Sequence, residues 1–122
     1  MTPTTTMDAK HIARYLGALS IEERVQIIQS LLDAGNDGLQ MLEIATRTEL
    51  GPAAVSKQIE SLTGLELVSV KSVDNVKVYV ANIKLIDTLF DWMYNHFGPG
   101  YMARMQEANA GPADALTLQA AS

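Results

Sequence analysis

Seven residues between positions 47 and 77 have the chemistry and spacing to line a contact with a polyanion: Arg47, Ala53, Ser56, Lys57, Gln58, Lys71 and Lys77. The four cations can neutralise phosphate, while Ser56 and Gln58 can donate to phosphate or to a base edge. Other chemistries find little support. Asp87, Asp91 and His96 lie close in sequence without the paired spacing of a metal site, and His11 stands alone, so no metal is expected. There is no Gly-rich phosphate loop, nucleophile motif or metal-binding His pair, and the adjacent Glu22 and Glu23 belong to a helix start. The chain reads as a non-enzyme without a cofactor.

The elements that must hold those seven residues follow from hydrophobic periodicity. A short helix from 39 to 47 buries Leu42, Ile44 and Ala45 and carries Arg47. After a tight polar turn, Gly51 and Pro52 suit the start of a second helix, 52–63, because proline's missing amide would have been unpaired there anyway. Val55, Ile59 and Leu62 form its apolar face, which leaves Ala53, Ser56, Lys57, Gln58 and Glu60 towards the other side. Gly64 is the expected helix stop. Two alternating β-branched runs, 67–73 and 76–80, flank Asp74-Asn75 and predict a hairpin carrying Lys71 and Lys77.

Upstream, Asp8 can cap a helix whose stripe is Ala9, Ile12, Ala13, Leu16 and Leu19, with Tyr15 beside it. Ser20-Ile21-Glu22-Glu23 has the form of a capping box, and the helix it opens buries Ile21, Val25, Ile28, Leu31 and Leu32. Downstream, Asn82 can cap a long helix, 83–97, with Ile86, Leu89, Phe90, Met93 and Phe97 on one face and Leu85, Trp92 and His96 on another. A small domain cannot bury both faces, so a partner helix is expected, with Tyr15, Leu85, Leu89 and Trp92 at a dimer interface. Gly98-Pro99-Gly100 breaks that helix, and a short one over 101–108 follows. The domain therefore spans 8–109, with loose segments at 1–7 and 110–122.

Composition sets further bounds. The 122 residues suffice for one domain with a real core, and no run approaches the roughly 20 apolar residues of a membrane span. Met1 to Thr6 has neither the basic nor the apolar region of a secretory signal, so a cytoplasmic protein is expected. With no cysteine there is no disulfide, thiolate metal site or thiol sensor. The net charge of −5 argues against non-specific coating of nucleic acid, and positions 41–80 hold four basic residues against five acidic ones.

Residues 18–81 resemble the ArsR-type winged helix-turn-helix repressors, whose pattern L-A-x-x-x-x-L-S-x-x-x-V-S-x-H-L-x-x-L-x-x-x-G-L-V lies on Ile44 to Val68 without a gap. Ala45, Leu50, Val55, Ser56, Leu62, Leu67 and Val68 match it, and Ile44 and Ile59 are close. The segment from Ala18 to Ile28 is similar to the family's L-x-x-x-x-R-x-x-I-L. Gly51 stands where the family has a serine cap, Gln58 where it has histidine, and Glu66 where it has glycine. The pattern is shared loosely with MarR-type regulators. The resemblance implies a mainly α fold with a small β-hairpin wing (α+β), a homodimer, and double-stranded operator DNA read by helix 52–63 with the wing 67–80. Its cysteine-based metal sites are impossible here, and its Asp-x-His sites are not matched around Asp87, Asp91 and His96.

Two functions are consistent with this reading. One is a homodimeric repressor on a palindromic operator. The other is an acidic winged-helix module that binds protein and little or no DNA. Trp92, Met93, Tyr94, Phe97, Tyr101, Met102 and Met105 make an apolar C-terminal surface, read as core and dimer interface ahead of an effector site.

Overall fold

The computed structural model describes residues 7–109, so the loose ends expected at 1–7 and 110–122, Met7 apart, lie outside the described residues. The elements are α1 (Ala9–Ala18), α2 (Glu22–Ala34), a 3₁₀ turn (Gly35–Asp37), α3 (Met41–Thr48), α4 (Pro52–Gly64), β1 (Val68–Val73), β2 (Val76–Ala81), α5 (Ile83–His96) and α6 (Pro99–Asn109). This is a winged helix-turn-helix. Two compact units divide at Asp87 and Thr88, within α5. Among the described residues, no helix is long and apolar enough to cross a membrane.

In the first unit, Asp8 caps α1 as expected, accepting the His11 amide at 3.0 Å and meeting the His11 ring at 2.6 Å. Those bonds, the amide's foremost, hold the Asp8 carboxyl below its usual range. The buried face of α1 is rotated from the expected stripe. Ile12, Tyr15 and Ala18 are buried, whereas Ala9, Ala13 and Leu16 are exposed. The turn gives up Ala9, Ala13 and Leu16 and gains Tyr15 and Ala18, and the tyrosine ring supplies most of the surface gained.

The Ser20 capping box does not form. Ser20 Oγ donates back to the Gly17 carbonyl at 2.7 Å, Ile21 occupies the cap position without a side-chain bond, and Glu23 bonds elsewhere. Helix α2 packs against α3, α4 and β2, and the face it gives them is Ile27, Ile28 and Leu31. Ile21, Val25 and Leu32, expected on the buried face, are exposed. A reciprocal cap exists instead at α3, where the Gln40 amide donates to the Glu43 carboxylate at 2.8 Å. Leu42, expected in the core, is 68% exposed, while Ile44 and Ala45 are buried.

The wing is an antiparallel pair in the register Val68↔Ala81 to Val73↔Val76. Its turn residues Asp74 and Asn75 have φ of 52° and 67°, which is why a two-residue loop closes it. Leu39 bridges the outer edge of β2, with Leu39 N donating to Tyr79 O at 2.9 Å and Tyr79 N to Leu39 O at 2.8 Å. That bridge requires Gly38, whose φ is 68° and ψ −174°. A Cβ there would meet the Val78 side chain and lie 2.6 Å from the Tyr79 carbonyl oxygen.

Gly64 is not the helix stop. It is the last residue of α4, Leu65 caps the helix, and the left-handed position falls on Glu66 at φ 64°. Asn82 braces this bend, donating Nδ2 to the Glu66 carbonyl at 2.9 Å while Oδ1 accepts the Leu85 amide at 3.1 Å.

In the second unit, Gly98 N donates to Met93 O at 3.0 Å and Tyr94 O at 3.2 Å, closing α5. Pro99 then starts α6, so the break is shorter and the last helix longer than expected. Trp92 stacks on His96 with centroids 4.0 Å apart and meets the edge of Phe97 at 5.5 Å. Arg104 Nη2 donates to the Asn95 carbonyl at 2.6 Å.

Replacing Gly38 with Ala should cost at least about 2 kcal/mol, because the backbone region is nearly closed to side chains and the added carbon has no space. Glu66→Gly should gain roughly 0.5 to 1 kcal/mol by relieving the left-handed conformation, less glycine's greater unfolded-state entropy. Urea midpoints at constant m-value measure both.

Candidate nucleic-acid interface

The turn between α3 and α4 is built from local bonds. Thr48 Oγ1 donates to the Ile44 carbonyl at 2.7 Å, and Glu49 takes φ 60° to reverse the chain. Gly51 and Pro52 then start α4, as the spacing predicts. Val55, Ile59 and Leu62 are buried, and Ala53, Ser56, Lys57 and Glu60 are exposed. The start of α4 thus presents a short polar face carrying one cation and one hydroxyl.

Gln58 is not on that face. It is 8% exposed, and its amide is engaged at both ends: Oε1 accepts from Arg24 Nε at 2.8 Å, and Nε2 donates to Glu23 Oε1 at 3.1 Å. Arg24 Nη1 also donates to the Ala18 carbonyl at 3.2 Å. The expectation that Gln58 faces the groove is therefore corrected. A buried amide must have partners, and α2 supplies both. The signal was present in the sequence, since Gln58 lies three residues after Val55 and four before Leu62, inside the apolar stripe. Glu23 and Arg24 were missed because a carboxylate and a cation in a first helical turn read as solvated.

Arg47 is exposed at the end of α3. It borders an open cleft of about 580 Å³ shared with Gln26, Gln29, Ser30, Leu32, Asp33, Thr48 and Glu49. Lys71 is exposed, but its Nζ donates to the Asn36 carbonyl at 2.7 Å and so ties the wing to the loop after α2. Lys77 lies opposite Ser72, whereas Lys71 lies opposite Val78. Paired residues share a face and successive residues alternate, so the two wing lysines project from opposite faces. Among the described residues, no salt-bridge partner engages Arg47, Lys57 or Lys77.

Of the expected interface residues, Tyr15 and Leu89 are already buried by the chain itself, at 9% and 0% exposure. Leu85 and Trp92 are half-buried. The exposed aromatic side chains here are Phe90 and Tyr94 on α5 and Phe97 just past its end, at spacings of four and three that put them on one side. No group of three metal-ligating side chains that could hold an ion occurs among the described residues.

The fold is similar to that of several solved structures, a winged helix-turn-helix among them. An ArsR-like transcriptional regulator from Rhodococcus sp. RHA1 superposes with a TM-score of 0.66 at 22% identity, over 83% of this chain and 92% of its own. NolR from Sinorhizobium fredii gives 0.56 at 21%, over 80% and 98%. The homodimeric winged helix-turn-helix DNA-binding domain of Mb0332 from Mycobacterium bovis gives 0.53 at 21%, over 77% and 95%. No family model matches the chain, and no curated protein matches it. At these identities the likeness establishes the winged helix-turn-helix fold.

Gln58→Leu keeps the volume and removes both hydrogen bonds. It should cost about 1 to 2 kcal/mol in urea unfolding, the half-buried Glu23 and Arg24 regaining part of the loss from water.

Proposed function

We propose that this chain is a homodimeric DNA-binding transcriptional regulator, a repressor that reads a palindromic operator with α4 in the major groove. The observation that carries the reading is α4 itself, whose apolar face is buried while Ala53, Ser56 and Lys57 stand exposed at its N-terminal end. Recognition helices contact base edges from that end. Arg47 and the wing lysines supply phosphate contacts, with Lys71 also holding the wing in place. Gln58 has no part in direct contact. The partner protomer covers the aromatic side of α5, where Phe90, Tyr94 and Phe97 are each more than half exposed. That the similar Mb0332 domain is homodimeric supports a dimer.

A second reading is favoured by charge. With four cations against five acids from position 41 to 80, and Leu42 68% exposed on α3, the module could bind an apolar, basic protein surface instead.

Fluorescence anisotropy against fragments of the surrounding genome separates the two. A specific site should emerge with half-sites roughly 34 to 36 Å apart. Lys57→Ala should then cost about 1 to 3 kcal/mol at one operator position if Lys57 reads a base, whereas Lys77→Ala should weaken all sequences alike and lower the salt slope by about one. Wild-type affinity at physiological salt in the folded Lys57→Ala, Lys77→Ala double variant would sink the DNA reading. A monomer by sedimentation at micromolar concentration would sink the dimer.

A further inference from the structure

We propose that Glu23, Arg24 and Gln58 form a clamp between α2 and α4 that sets the rotation of the recognition helix about its own axis, making them positioning residues of the DNA-reading face. The inference rests on the reading of α4 given above and adds to it the device that aims the helix.

Apolar packing alone leaves that setting loose. Val55, Ile59 and Leu62 fix which side of α4 is inward, but a stripe of branched side chains tolerates small rotations and slides, whereas a hydrogen bond weakens steeply with angle. Gln58 lies in that stripe, one turn from both Val55 and Leu62. Its planar amide offers an acceptor and a donor in fixed directions, and both are used across the helix pair, at 2.8 Å to Arg24 and 3.1 Å to Glu23. The two partners are adjacent on α2, so they grip the amide from two sides. Arg24 is in turn held by the Ala18 carbonyl at 3.2 Å, which anchors the clamp to the end of α1. The next residues before Gln58 are Ser56 and Lys57, so any rotation of α4 that breaks the clamp swings those two side chains through the same angle. Both bonds involve an ionised group, which makes them stronger than neutral ones.

The polarity of the clamp can be reversed, and this provides the test. In Gln58→Glu, the new carboxylate still accepts from Arg24 but faces Glu23, carboxylate against carboxylate. In the double variant Glu23→Gln, Gln58→Glu, the bond between positions 23 and 58 is restored with its donor and acceptor exchanged, and the bond from Arg24 is kept. Hydrogen exchange of the α4 amides is read on full-length protein without DNA, alongside operator and non-specific affinity by anisotropy. The clamp predicts faster exchange at the α4 N-terminal half in Gln58→Glu and wild-type protection in the double variant. Operator affinity should fall about tenfold in the single variant, return to within about threefold in the double, and leave the salt slope unchanged in both. A double variant as poor as the single in both exchange and affinity overturns the clamp. So does wild-type exchange in a folded Gln58→Glu, or a double variant whose exchange is restored while its affinity is not, which would make residue 58 a direct DNA contact. If wild-type protein binds no operator, the regulator reading fails while the exchange arms still decide whether the clamp holds α4.

Discussion

A side-chain amide buried in a helix–helix seam has to be hydrogen-bonded, and the demand of Gln58 for two partners shapes much of what surrounds α4. An unpaired buried amide costs about 1 to 3 kcal/mol, a large part of the stability of a small domain. The α2 N-terminus meets the demand with adjacent residues of opposite charge, Glu23 and Arg24. The same region does without a capping box. Glu23 turns to Gln58, the Ser20 amide and hydroxyl both donate to the Gly17 carbonyl, and Ile21 is left as an uncapped start. Helix α2 gives up a local bond at its end for one that ties it to the helix it supports.

The same competition between local and tertiary demands explains how far the fold could be read in advance. The elements of the helix-turn-helix and the wing were legible because each has its own chemistry: Pro52 at a helix start, Asp74-Asn75 where both turn residues need positive φ, Asn82 as a cap. The faces of α1 and α2 were not. In α2, Val25, Ile27, Ile28, Leu31 and Leu32 can be joined into two overlapping stripes, and both satisfy helical spacing. Which stripe is buried depends on where α3, α4 and β2 lie around the helix, and that is not written in the periodicity of α2.

Backbone conformation was the least legible layer of the candidate site. Glu49 and Glu66 both adopt left-handed conformations, and neither residue type announces one. Glu49 lies in the turn that sets the angle between α3 and α4, and Glu66 in the bend that sends the chain from α4 into the wing. Each costs roughly 1 kcal/mol or more relative to glycine, and the surrounding bonds must hold it. At Glu66 the holder is visible: Asn82, whose amide grips the Glu66 carbonyl while its oxygen starts α5. One asparagine therefore fixes where the wing ends its supporting bend and where α5 departs.

Charge is the remaining constraint on the proposed reading. A chain of net charge −5 gains little from the phosphate neutralisation that dominates non-specific binding, and Glu60 on the exposed side of α4 reduces that gain further. Lys71 spends part of its donor capacity on Asn36, and Lys77 projects from the opposite face of the hairpin, so the two wing lysines cannot lie on one stretch of backbone in the same way. The electrostatic share of binding is thereby kept small. Discrimination then falls to the few side chains at the start of α4 and to the accuracy with which they are aimed. For a protein with this charge, a hydrogen-bonded clamp behind the recognition helix matters more than it would in a strongly basic one, where attraction to any duplex would mask an error of a few degrees.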